Sequence, residues 1–227
     1  PMSRGLGDVY KRQDMDCLIH SGNTFAYCCN SPASMHDVCG TTGDYAYDRD
    51  KVIEYGRQYY NKQDPYYPQR SYRNNCVRFA SQCLYAGLGD DIIAEVYPEW
   101  HCYRNNQRDP ENPEEHDQTR SWRKTNYFYR FLMDSGLAYN TTRLYSGWDL
   151  GLMAEWFQYE PGDFLFFSNG NGADEFYHVA VVSAITENDI LFMGNTTDCF
   201  DASLTAWFQD PENQEKEVVI VCIADQG

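Results

Sequence analysis

Apolar residues return every three or four positions in the first half of the chain and nearly without interruption in short runs of the second half. Val52, Tyr55, Tyr59 and Tyr60 share one helical stripe, and Asp48 stands ahead of it as an N-cap, so the spacing predicts a helix over 48–62. The segment Asp64 to Pro68 breaks it. Cys76, Phe79, Ala80, Cys83 and Leu84 fall on a second stripe, predicting a helix over 75–86 with Gly87 as its C-cap. Trp122, Phe128, Phe131 and Leu132 mark a third helix over 121–135, and 148–157 predicts a short fourth. Between them, 103–120 is polar and punctuated by proline, a solvated loop within one fold.

Beyond residue 160 the period changes. Glu160-Pro161-Gly162-Asp163 is a turn signal, and buried strands are expected at 164–167, 177–185, 190–193 and 218–223. The third of these returns as a hairpin partner of the second after a turn at 187–189. Helices first and strands after predict an α+β domain, with N-terminal helices packed on a C-terminal antiparallel sheet.

The 227 residues suffice for one sizeable domain, and 42% apolar with 16% aromatic content supplies its core. A formal charge of −16 sets the chain against phosphate backbones, so nucleic acid is not an expected partner. No apolar run is long enough to span a membrane. Residues 1–13, PMSRGLGDVYKRQ, read as an adapter scar of the kind left on assembled metagenomic reads, and lack the apolar stretch of a signal peptide. The natural start, with any export signal, is therefore expected to be missing.

Nine cysteines are present, an odd count that leaves at least one thiol unpaired. Residues 14–44 are irregular and Cys-rich. Cys17, His20, Cys28, Cys29, His36 and Cys39 have ligand-like spacings, but disulfides or simple thiols explain them better than zinc, and no metal or cofactor is expected. Cys83, two turns after Cys76, reads as a core thiol.

Cys76 opens a predicted helix, where the partial positive charge and unsatisfied N–H groups favour a thiolate and can hold an oxyanion. His178, in a strand about 100 residues later, is the candidate base. Asn195, at the end of the next strand, is the candidate that orients the imidazole, with Asp198 a weaker rival. A cysteine on an apolar helix face is commonly core, and a histidine in an apolar strand is commonly structural. The case for chemistry rests on their coincidence. The tyrosines at 59, 60, 66, 67 and 72 could line a groove that stacks on sugars, or form a wet-edged core. The five tryptophans are most simply core.

These residues carry a resemblance. The run YDRDKVIEYGRQYYNKQDPYY, then NCVRFASQCLYAG, the SWRKTNYFYRFL segment, Gly162 to Phe167 and His178 to Val182 resemble the bacterial putative amidase domain family, among the NlpC-like, papain-like cysteine peptidases. The likeness runs from about residue 45 to 223. It implies a papain-like fold over 45–227, a Cys76 nucleophile with a His178 base, and hydrolysis of an amide in a cell-wall or related peptide. It further implies a monomer that is secreted or associated with the cell envelope. Asn75, Val77 and Arg78 depart from the family's usual Asp before the cysteine and Thr-Asn after it, and Asn195-Thr196 from its His-Thr pair. Those departures keep open a second expectation, a catalytically weak relative that binds peptide or glycan without cutting it.

Overall fold

In a computed structural model of the chain, residues 46–67, 75–89, 97, 100–102, 118–170 and 175–225 are described. The Cys-rich segment 14–44, residues 1–13 and most of the 103–120 loop lie outside them. The described chain runs α1 (Arg49–Tyr59), α2 (Cys76–Leu88), α3 (Arg120–Arg123), α4 (Thr125–Asp134), β1 (Ala138–Tyr145), α5 (Leu150–Phe157), β2 (Phe164–Ser168), β3 (Phe176–Ile185), β4 (Ile190–Gly194), β5 (Cys199–Ser203), α6 (Leu204–Gln209) and β6 (Glu217–Ile223). The strands form one antiparallel sheet in the order β1-β6-β2-β3-β4-β5. This is the α+β arrangement the periodicity predicts, with the early helices on one face. The shorter α5 and α6 cover the other face and were not all foreseen.

The two faces follow from alternation along each strand. Phe164, Phe166, Val179, Val181, Met193, Val219 and Val221 join one core with α1, α2 and α4, here called the helix face. Leu165, Phe167, Ala180, Val182, Phe192, Val218 and Ile220 join a second core with α5 and α6, the far face.

Local chemistry explains the helix boundaries. The Asp48 side chain accepts from Lys51 N at 3.1 Å and starts α1. α2 runs past Gly87, which is not its cap: a β-carbon there would meet Tyr47 and Val52 at 2.6 Å, so glycine lets α1 close against α2. Gly89, at φ +85°, ends the helix instead. The single helix expected over 121–135 is two, because Lys124 takes an extended conformation (φ −128°, ψ 124°) between α3 and α4.

The Tyr-Asp-Arg and Gly-Asp segments meet as one staple. Arg49 Nη1 donates to Asp163 Oδ1 at 3.0 Å and to the Pro161 carbonyl at 2.9 Å, and Nη2 to the Ile223 carbonyl at 2.6 Å. The Tyr47 hydroxyl donates to the Gly162 carbonyl at 2.9 Å. Asp163 is fully buried and also accepts from the amides of Glu160 and Ile223. It is a turn and strand-start residue, as expected, and it fastens the start of α1 to β2 and β6. Burial pushes its carboxyl up to about 6, against the pull of Arg49.

Candidate functional site

Cys76 is the first residue of α2, and Asn75 is its N-cap by position only, since the Asn75 side chain makes no cap hydrogen bond. The first intrahelical bond runs from Phe79 N to Asn75 O at 2.9 Å. The amides of Cys76 and Val77 therefore have no acceptor inside the helix and point out of its end. The thiol itself is only 4% exposed and packs on the helix face.

The Asn75 side chain turns away to Asn195. Its amide donates to Asn195 Oδ1. Asn195 Nδ2 in turn lies at 2.6 Å from the Tyr59 carbonyl, 2.9 Å from that of Tyr60 and 3.1 Å from that of Lys62. One amide, 1% exposed, thus ties the end of β4 to the end of α1 and the start of α2. In this arrangement the partners of Asn195 are Asn75 and three backbone carbonyls, and His178 is not among them. The apolar-run neighbours of Asn195 hid the cause: three backbone carbonyls at a helix end need donors, and carbonyls are invisible in side-chain patterns.

His178 lies elsewhere. It sits opposite Phe167 across β2 and β3, and the two rings are 5.3 Å apart, tilted by 51°. Phe167 belongs to the far face, so the imidazole does too. There Nε2 lies 3.8 Å, and Cys199 Sγ 3.7 Å, from the point a β-carbon on Gly194 would occupy. Burial depresses the imidazole to about 4, so it is neutral at pH 7. Burial raises the Cys199 thiol, whose sulfur accepts from the Thr197 hydroxyl at 3.6 Å. No hydrogen bond joins Cys76 to His178; the thiol is on one face of the sheet and the imidazole on the other. Asp198, the rival third residue, stands immediately before β5 at φ 47°.

The register shows why. Ser168 pairs with Phe176 but Phe167 with His178, so β3 carries one extra residue, Tyr177, against β2. A bulge of this kind resets which face each following side chain takes. The sequence alternation alone could not reveal it.

Beside the start of α2 lies a crevice of about 10 Å³, room for a single water, lined by Asn75, Arg78, Phe79, Gln82 and Asn195 among others. Cys83, as expected, is a fully buried core thiol. Among the described residues no three His, Cys, Asp or Glu side chains gather as a metal would require, and no helix is long and apolar enough to cross a membrane. The candidate zinc ligands between Cys17 and Cys39 lie outside the described residues.

Residues 46–219 match the model of a family described as a putative amidase domain. No curated protein and no solved structure matches the chain.

Proposed function

Because the chain belongs to the putative amidase domain family, and hence to proteins described by amide hydrolysis, we propose that it cleaves amide bonds with Cys76 as the nucleophile. The observation that carries this is the uncapped start of α2: a thiol at the first helical position, with neighbouring amides that have no acceptor within the helix. Sγ bonds to the carbonyl carbon, the oxygen takes the negative charge and is held by those amides, and the C–N bond then breaks. The thiol proton passes to an imidazole and from it to the leaving amine. Water hydrolyses the acyl-thioester and frees the thiol. The substrate is a peptide amide of the cell-wall or related kind, met outside the cytoplasm or at the envelope.

His178 is the base in this scheme. For it to serve Cys76, its ring must leave Phe167 and turn to the helix face. Moving the extra residue of β3 one place along, so that Tyr177 faces Phe167, does this by alternation alone. The single-residue bulge is thus the adjustable part of the site.

Turnover of a peptide amide by the full chain tests the scheme. Cys76→Ser and His178→Ala are each expected to lower it by about a thousandfold or more with the fold retained. Full activity in Cys76→Ser would end the proposal. A second reading, a peptide- or glycan-binding relative that does not cut, is favoured by the separation of thiol and imidazole and by the 4% exposure of Cys76. Ligand binding that is indifferent to both substitutions, with no turnover in the parent, would establish it instead.

A further inference from the structure

A hollow of about 230 Å³ opens beside the crevice at the start of α2, and the two share Asp64, Tyr67 and Gln82. Tyr55, Tyr66, Tyr67 and Tyr85 supply most of its wall, with Ala86 and Gly89 closing one side. We propose that this hollow binds an alkylammonium group, as carried by a lysine-like side chain or a quaternary amine.

The rings are held by the core behind them. Tyr67 and Tyr85 each lie 5.9 Å from the Trp122 ring, and Tyr85 also 6.4 Å from Trp100; both tryptophans are fully buried. Tyr55 packs on Tyr59 at 4.7 Å, and its hydroxyl donates to Asp64 Oδ2 at 2.9 Å. Tyr66, two-thirds exposed, forms the lip, and its backbone amide donates to Asp64 Oδ1 at 2.9 Å. The walls are therefore set before anything binds, so little ordering cost falls on the ligand.

Aromatic faces carry negative quadrupole charge, and several arranged around one space attract a cation more strongly than a neutral group of the same shape. The Asp64 carboxylate in the wall adds to that preference. Among the described residues that line the hollow, none is Lys or Arg. The chain's own cations already use the neighbouring rings this way: Lys62 Nζ sits 5.4 Å from the Tyr59 centroid, and Arg57 lies 4.9 Å over Phe200. The volume of about 230 Å³ admits one such head group. The net charge of −16 concentrates cations near the surface at low salt.

The crevice lies between this hollow and the start of α2, so the ammonium would belong to a residue near the amide to be cut. That last step rests on the amide-hydrolase reading; the binding itself does not. Titration of the full chain with choline, followed by NMR shifts of tyrosine ring signals, tests it against the neutral isostere 3,3-dimethyl-1-butanol. Choline is expected to bind about threefold to thirtyfold more tightly. Tyr66→Ala is expected to remove most of that difference, and Tyr66→Phe, which keeps the ring, to preserve it. Equal affinity for the two probes would overturn the proposal, as would binding of N-acetylglucosamine without choline, or an undiminished preference in Tyr66→Ala. Because the readout is binding, it stands or falls apart from turnover in Cys76→Ser.

Discussion

The two faces of the sheet solve opposite problems. On the helix face polar groups are consumed by structure: Asn195 and Asn75 bind each other, the Asn195 amide meets three carbonyls at the end of α1, and Arg49 is spread over Asp163, Pro161 and Ile223. On the far face His178 rests on Phe167, and among the described residues its ring has an aromatic contact and no hydrogen bond. The helix face therefore holds the proposed nucleophile within a frame of hydrogen bonds, and the far face holds the proposed base against an aromatic ring. A hydrolase made of these parts would gain its precision from the first and its control from the second.

The strongest way to break the comparison is to remove the frame. Arg49→Ala leaves the fully buried Asp163 without its guanidinium, and removing one partner of a buried pair is expected to cost about 3–5 kcal/mol. Urea denaturation at pH 7 measures it. A loss below about 1 kcal/mol would mean that the staple is dispensable and α1 is held by packing alone. Asn195→Ala comes next. It strips donors from three helix-end carbonyls and leaves the Asn75 amide unmatched, an expected cost of about 2–3 kcal/mol. A double-mutant cycle with Asn75→Ala should show coupling of about 0.5–3 kcal/mol. Additive effects would separate the two amides and restore Asn195 as a candidate partner for His178.

The far face is tested through pH. The His178 imidazole titrates near 4 in the folded chain and near its ordinary 6.5 in the unfolded one. Between those values the unfolded chain binds more protons, so this residue's share of stability is complete above pH 6.5 and is lost as pH falls towards 4. The loss amounts to as much as about 3 kcal/mol. Asp163 runs the other way, its raised pKa adding stability as pH falls from about 6. The difference between the parent and His178→Phe isolates the imidazole. The expected result is a variant whose stability falls less on acidification; parallel curves would place the ring in water and off Phe167.

The same contrast explains what the sequence could and could not tell. β2, β3, β4 and β6 are interior strands with apolar residues on both faces, and their runs stand out as FLFF, YHVAVVSAI, ILFM and VVIVCI. The two edges, β1 and β5, were not foreseen. AYNTTRLY and CFDAS pair on one side only, so most of their positions are exposed or half-buried and no continuous run forms. The start of α2 was legible because Cys76 begins an apolar stripe that continues at helical spacing through Phe79, Ala80, Cys83 and Leu84. The role of Asn195 was not, because its partners are carbonyls contributed by another helix. Nor was the face of His178: alternation gives parity along a strand, and one extra residue at Tyr177 reverses it.

The smallest expected effect is also the sharpest probe of that reversal. Gly194 ends β4 between the imidazole and the Cys199 thiol. A β-carbon there would stand 3.8 Å from Nε2 and 3.7 Å from Sγ, ordinary contact distances, with no positive φ to strain it. Gly194→Ala should then stabilise the fold by about 0.4–1 kcal/mol, because the alanine chain has less freedom to lose on folding. A methyl at that point also hinders any travel of the imidazole across it, so the ring's titration near 4 should persist. Destabilisation would show that the ring or the sulfur already fills the space. A rise of the imidazole pKa towards 6.5 would show that the methyl has displaced the ring from its place against Phe167, and that β3 yields at its bulge more readily than the frame across the sheet.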